Sequence, residues 1–103
     1  MSEQEIPDDI HQLRRTIDNI DAALVHLLAE RFKATHRVGE IKAVVSLPPQ
    51  DPERERLQMA RLTQIAKESG LDPAFADQFR AFVTAEVIRH HRLIGDQAGR
   101  TQS

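Results

Sequence analysis

Residues 9–45, DIHQLRRTIDNIDAALVHLLAERFKATHRVGEIKAVV, decide the fold. Pro7-Asp8-Asp9 leads into them, an N-cap signal that sets negative charge where a helix dipole is positive. Apolar residues then recur at alternating steps of three and four: Ile10, Leu13, Ile17, Ile20, Leu24 and Leu27, then Ala34, Val38, Ile41 and Val45. No proline falls inside, and the first break is Leu47-Pro48-Pro49. The spacing predicts one helix of roughly 37 residues, about 55 Å long. A compact 100-residue domain has a radius of gyration of only ~13 Å. The seam therefore needs a partner, and a second copy of the chain is the simplest one. Arg31 falls where the seam calls for another leucine, and a buried guanidinium is costly unless it meets an anion. Gly39 costs about 1 kcal/mol relative to Ala in a helix interior, which a close backbone approach would explain.

The rest of the chain reads as shorter helices. Residues 1 to 7 are expected to be a disordered tail. After a loop from Ser46 to Gln50, Asp51-Pro52 restarts a helix with Asp as N-cap and Pro at its first position. That helix carries Leu57, Ala60, Leu62, Ile65 and Ala66 and stops at Gly70. Asp72-Pro73 repeats the signal, and a third helix with Phe75, Phe79, Phe82, Val83, Val87 and Ile94 is expected to end near Gly95, with Asp96 to Ser103 frayed. The expected fold is all-α, in one domain over 1–103 with its core at about 10–95.

Composition narrows the function. The 103 residues are 40% hydrophobic and carry a formal net charge of -2, which gives no electrostatic reason to expect nucleic acid. The absence of cysteine excludes disulfides and thiol catalysis. No segment is long and apolar enough to span a membrane, and the polar, acidic start Met1-Ser2-Glu3-Gln4-Glu5 has no hydrophobic stretch behind it, so the cytoplasm is the expected location.

Several side chains have the spacing for chemistry. Arg31 and Lys42 stand eleven residues apart, close to three turns, and so share a helix face with backbones ~16 Å apart. Two long side chains bending inward can grip one small dianion; the bland alternative is a snorkelling arginine and an exposed lysine. Arg14, seventeen residues before Arg31, is ~25 Å away along the axis and can join it only from an antiparallel partner chain. Asp51, Pro52 and Glu53 are explained as cap and first-turn acids, but Arg54 is a cation where the dipole disfavours one. Phe79, Val83 and Val87 lead in four-residue steps to His91, which is expected to point inward, most simply as a core histidine. Glu86 and His90, four apart, lack a third metal ligand placed by any motif, so no metal is expected. Ser46, Ser69 and Thr84 have no nucleophile context.

Taken together, Leu13-Arg14, Ile17-Asp18-Asn19-Ile20-Asp21, Leu27-Leu28-Ala29-Glu30-Arg31, Val38-Gly39-Glu40-Ile41-Lys42 and Asp51-Pro52-Glu53-Arg54-Glu55 resemble the small, all-helical class of chorismate mutase. The distances between these blocks match as well as their content. The resemblance implies an intertwined helical homodimer with two shared sites. It also implies conversion of chorismate, a flexible dicarboxylate, to prephenate, the branch step toward phenylalanine and tyrosine. That Claisen rearrangement needs no cofactor, acid, base or covalent intermediate, so orientation and electrostatics carry the catalysis.

By position, the resemblance makes Arg31 and Arg14 of the other chain the carboxylate clamps. Lys42 becomes the donor shared between a carboxylate and the ether oxygen. Glu55, with the backbone near Asp51, accepts the ring hydroxyl; Arg54 is a supporting cation and Val87 lines the wall. His91 stands where relatives usually carry Gln, or Glu in some, as second donor to the ether oxygen. Imidazole donates only in the right tautomer or when protonated. The alternatives are isochorismate-pyruvate lyase, which shares the fold but lacks the carboxylate corresponding to Glu55, and a non-catalytic helical dimerisation or regulatory module.

Overall fold

The computed structural model describes residues 5–48 and 50–102, with side chains described through residue 93. Three helices follow one another: α1 from Asp8 to Val45, α2 from Pro52 to Ser69 and α3 from Pro73 to Gln102. No strand occurs among the described residues, so the chain is all-α as expected. By internal packing it divides into two units, Met1–Ala34 and Thr35–Ser103, with α1 running through the division.

The ends of the helices follow from short-range chemistry. The Pro7 carbonyl accepts from the Ile10 amide at 3.0 Å, and Asp8 and Asp9 occupy the first turn of α1. Ser46 then takes φ +61, and the Leu47 amide donates back to the Lys42 carbonyl at 2.9 Å. α2 ends the same way, with Gly70 at φ +77 and the Leu71 amide donating to the Ala66 carbonyl at 2.8 Å. Both are Schellman closures, which satisfy carbonyls that a helix C-terminus leaves without partners. Glycine adopts the left-handed conformation freely; serine does so against its Cβ.

At the start of α2, Asp51 Oδ1 accepts from the Arg54 amide at 3.1 Å with Pro52 at the first helical position. Asp72 Oδ1 accepts from the Ala74 amide at 3.0 Å ahead of α3. Both Asp-Pro signals therefore do what the sequence assigned to them.

The third helix is longer than expected. It passes through Gly95 and Gly99 to Gln102, so the end near Gly95 and the frayed segment from Asp96 are corrected. Neither glycine has positive φ, no proline follows, and Asp96-Gln97-Ala98 offers the backbone no competing stop. The expected disordered tail falls, over residues 1–4, outside the described residues.

In the first unit the apolar face of α1 is open: Leu13 is 61% exposed, Ile17 54% and Leu27 66%. In the second unit α2 packs on α3. Among the described residues only Ala66 and Val83 are buried hydrophobic side chains, and they are small enough to bring helices close. The expected packing of Phe75, Phe79 and Phe82 is not made within the chain, where all three are exposed; the Ile94 side chain lies outside those described. The inward stripe of α3 is instead Ala76, Arg80, Val83, Val87 and His91, whose steps of three and four keep one face while the phenylalanines fall on its flank. Gly39 is the one buried residue of α1, in keeping with a close approach there.

The two C-terminal closures make a reciprocal prediction. Adding a Cβ at Gly70 meets nothing within 4 Å, so Gly70→Ala has only the conformational cost, about 1 kcal/mol. Ser46→Gly should change stability in the opposite direction by less than about 1 kcal/mol, because glycine also loosens the unfolded chain. Chemical denaturation of the two variants checks the signs; a loss above about 3 kcal/mol at Gly70 would point to disrupted packing instead.

Candidate functional site

The second half of α1 carries two stripes. Ala34, Val38, Ile41 and Val45 continue the apolar seam and remain exposed. Leu28, Arg31, Phe32, Thr35, Gly39 and Lys42 form a covered stripe beside it. Arg31 borders both: steps of four and three join it to Leu27 and Ala34 of the seam, and steps of four, four and three join it to Thr35, Gly39 and Lys42. The sharing of a face by Arg31 and Lys42 stands. Both are half-buried, and Lys42 engages a partner within the protein.

Arg31 is unusual among the cations. Its Nη1 is buried with no hydrogen-bond partner. Lys33, Arg56 and Arg89, by contrast, each hold a carboxylate three residues earlier, Glu30, Glu53 and Glu86. Such exposed pairs contribute little, about 0–1 kcal/mol. A buried donor without an acceptor costs about 1–3 kcal/mol, more when charged. Arg14 and Arg54 are exposed, and no carboxylate among the described residues pairs with them.

The second unit assembles the remaining candidates. α2 and α3 are joined by a short turn at Gly70–Asp72 and pack antiparallel, and the Arg80 guanidinium reaches Met59 Sδ at 3.8 Å across them. The N-terminus of α2 therefore lies at the end of the pair away from the turn, alongside the part of α3 beyond Val83. Glu55 and Val87 are half-buried there. Topology thus brings Asp51, Arg54, Glu55 and Val87 to one end of the α2–α3 pair.

His91 is the next turn of α3, and it does point inward. Its Nε2 lies 2.8 Å from the Thr35 carbonyl oxygen of α1. A carbonyl only accepts, so Nε2 carries the hydrogen. Nδ1 is buried without a partner. Sequence reading left the tautomer open; the α1 backbone selects it.

Arg80 was not marked by its sequence position, although the argument that singled out Arg31 applies to it. It interrupts the apolar stripe that runs to Val83 and Val87, its side chain is only 16% exposed, and its Nε is buried without an acceptor. Asp77 approaches its Nη2 at 3.5 Å.

The Glu86–His90 pair is occupied otherwise. Arg89 donates to both Glu86 oxygens at 3.3 and 3.0 Å, and that hydrogen bonding holds the Glu86 carboxyl below its ordinary range. His90 Nε2 stands 3.7 Å from the same carboxylate. No cluster of three or more His, Asp or Glu side chains suited to a metal occurs among the described residues.

Comparison with known proteins bears on the family. The sequence profile of the family described as chorismate mutase type II matches residues 13–92. The chain is 41% identical over 61 residues to a bifunctional chorismate mutase/prephenate dehydratase of Aquifex aeolicus, covering 59% of this chain and 17% of that protein. It is 35% identical over 65 residues to a chorismate mutase of Methanocaldococcus jannaschii, covering 63% of this chain and 66% of the relative. A 4-amino-4-deoxychorismate mutase of Streptomyces pristinaespiralis is 30% identical over 82 residues, covering 80% of this chain and 64% of the relative. The chain thus spans less than two thirds of the length of these relatives, and far less of the bifunctional one.

Proposed function

The chain belongs to the type II chorismate mutase family, and from that premise we propose that it converts chorismate to prephenate in a site completed by a second copy of itself. The observation that carries the reading is the buried, unpaired Nη1 of Arg31, inside the matched span and on the helix face it shares with Lys42. A non-catalytic helical module would keep that cation without an anion, which folded proteins avoid.

The proposed mechanism is positional. The guanidiniums of Arg31 and of Arg14 of the partner subunit bind the two carboxylates as planar forks, holding the substrate as a compact chair. Lys42 donates to one carboxylate and to the ether oxygen. As the carbon–oxygen bond breaks and the new carbon–carbon bond forms, negative charge grows on that oxygen. A donor placed there in advance is worth about 10²–10³ in rate. Glu55 and the backbone near Asp51 accept the ring hydroxyl, Arg54 adds positive potential, and Val87 walls the ring. His91 is the second donor toward the ether oxygen. No proton is transferred and no cofactor is called for. One such domain, 1–103, is proposed per chain, with the cytoplasm as its compartment and the shikimate branch toward aromatic amino acids as its setting.

An absorbance assay with chorismate and isochorismate in parallel, without added metal or cofactor, tests the activity. Loss of chorismate with formation of prephenate is expected; pyruvate release from isochorismate alone would replace this reading with the lyase. The 4-amino analogue of chorismate belongs in the same assay, since a carboxylate at Glu55 accepts from either substituent. Glu55→Ala should weaken mutase turnover more than any lyase turnover, because the ring hydroxyl sits differently in isochorismate. Equal losses would remove the role given to Glu55.

The open apolar face of α1 supports the second copy. Sedimentation should show a homodimer with no stable folded monomer near 11.7 kDa at assay concentrations. A folded monomer would sink the shared site with it.

Sharing makes a sharper prediction. Arg14→Ala and Arg31→Ala should each nearly abolish turnover. Mixed and allowed to exchange, the two inactive proteins should regain part of it, because one heterodimer site receives both arginines and the other neither. No recovery, with exchange verified by mass, would confine Arg14 to its own chain.

A further inference from the structure

We infer that His91 is a proton-gated donor: the Thr35 carbonyl keeps the hydrogen of the neutral ring on Nε2, so Nδ1 presents an N–H to substrate only when the ring is charged. The inference deepens the proposed mutase reading and rests on it for the identity of the acceptor. The tautomer assignment itself rests on geometry alone.

Three observations carry it. Nε2 stands 2.8 Å from the Thr35 oxygen, a hydrogen-bond distance that only a donor nitrogen can make to a carbonyl. The acceptor belongs to the α1 backbone within a continuous helix, so it cannot rotate to offer a donor in exchange. A serine or amide partner would allow the ring to switch tautomer; a helical carbonyl does not. Nδ1 is buried, and the protein supplies it neither donor nor acceptor among the described residues.

The consequence for the reaction follows from counting hydrogens. A neutral imidazole has one N–H, already committed to Thr35. Its Nδ1 then holds a lone pair, which repels an ether oxygen gaining negative charge. The imidazolium keeps the Thr35 bond and adds a second, charged N–H on Nδ1, which is attracted to that oxygen and strengthens as the bond breaks. His91 therefore differs from an amide at this position, whose NH₂ donates at every pH.

Charged groups stand on the turns of α1 and α3 around the Thr35–His91 contact and at the start of α2. On α1, Arg31 lies one turn before Thr35, and the His36–Glu40 pair and Lys42 lie on the turns after it. On α3, Glu86 is bound by Arg89 with His90 beside it, and Arg92 follows the ring. The first turn of α2 contributes Glu53 with Arg56, Arg54 and Glu55. Among the described residues the His91 ring hydrogen-bonds to the Thr35 carbonyl alone.

The experiment pairs spectroscopy with kinetics on the 103-residue chain. Nitrogen-15 NMR of the ligand-free wild type, selectively labelled at histidine and assigned through His91→Gln, should show the neutral ring protonated on Nε2. A neutral ring protonated on Nδ1 overturns the assignment whatever the enzyme does. Turnover at saturating chorismate should fall as pH rises in the wild type, with a limiting slope of about tenfold per pH unit. The profile of His91→Gln should lack that limb. Flat profiles for both proteins would make His91 a clasp between α1 and α3 with no direct role, and parallel limbs would assign the titration to another group; either result overturns the proposal. If His91→Gln fails to fold, His91→Asn, which is too short to reach both partners, is expected to be flat and slow, and a retained limb overturns the proposal. Absence of turnover at every pH would instead defeat the mutase reading, while the NMR result still decides the tautomer.

Discussion

A helix longer than its own chain can cover is the constraint on which the rest depends. α1 runs for 38 residues, about 57 Å, and its apolar seam stays exposed from Ile10 to Val45. Fully burying one such aliphatic side chain contributes about 1.5–3 kcal/mol. Six of them, from Ile10 to Leu27, thus bear on a free energy comparable with the whole stability of a typical domain, about 5–15 kcal/mol. Among the described residues the chain buries little by itself, chiefly Ala66 and Val83 where α2 meets α3. A second copy is the economical cover, since an identical seam offers the same spacing and length. On the proposed reading, assembly and catalysis become one event, because the chain that covers the seam also delivers an arginine.

Among the described residues, folding leaves three buried polar side-chain atoms unpaired. Arg31 Nη1, Arg80 Nε and His91 Nδ1 are buried without partners, while surface cations find acids three residues away on their own helices. Local pairs of that kind form whether or not the tertiary fold is right. Buried groups without partners exist only because of the fold, and so they report on what the fold is for. Two of the three belong to the site proposed here. Arg80, held between Met59 and Asp77 on the inward face of α3, does not, and nothing in the structure explains its unpaired Nε.

Most of the architecture was legible in the sequence because its causes are local. The Asp-Pro pairs at 51–52 and 72–73, the stop at Gly70 and the seam of α1 each depend on residues within a turn or two. The exception is instructive. Gly95 was read as a terminus, yet α3 continues to Gln102, because a glycine ends a helix only when it takes the left-handed conformation, as Gly70 does and Gly95 does not.

The sequence by itself determined the helices, the family and the candidate cations, since periodicity, caps and the spacing of Arg31, Lys42 and Glu55 are properties of order along the chain. Tertiary structure decided which faces are used. It half-buried Arg31 while leaving its seam neighbours Leu27 and Ala34 exposed, left Phe75, Phe79 and Phe82 exposed, and put Arg80 on the inward face of α3. It also decided the tautomer of His91, which no reading of residue types can give. A histidine's hydrogen goes where an acceptor waits, and the acceptor here is a backbone carbonyl fifty-six residues away in sequence, 2.8 Å away in space.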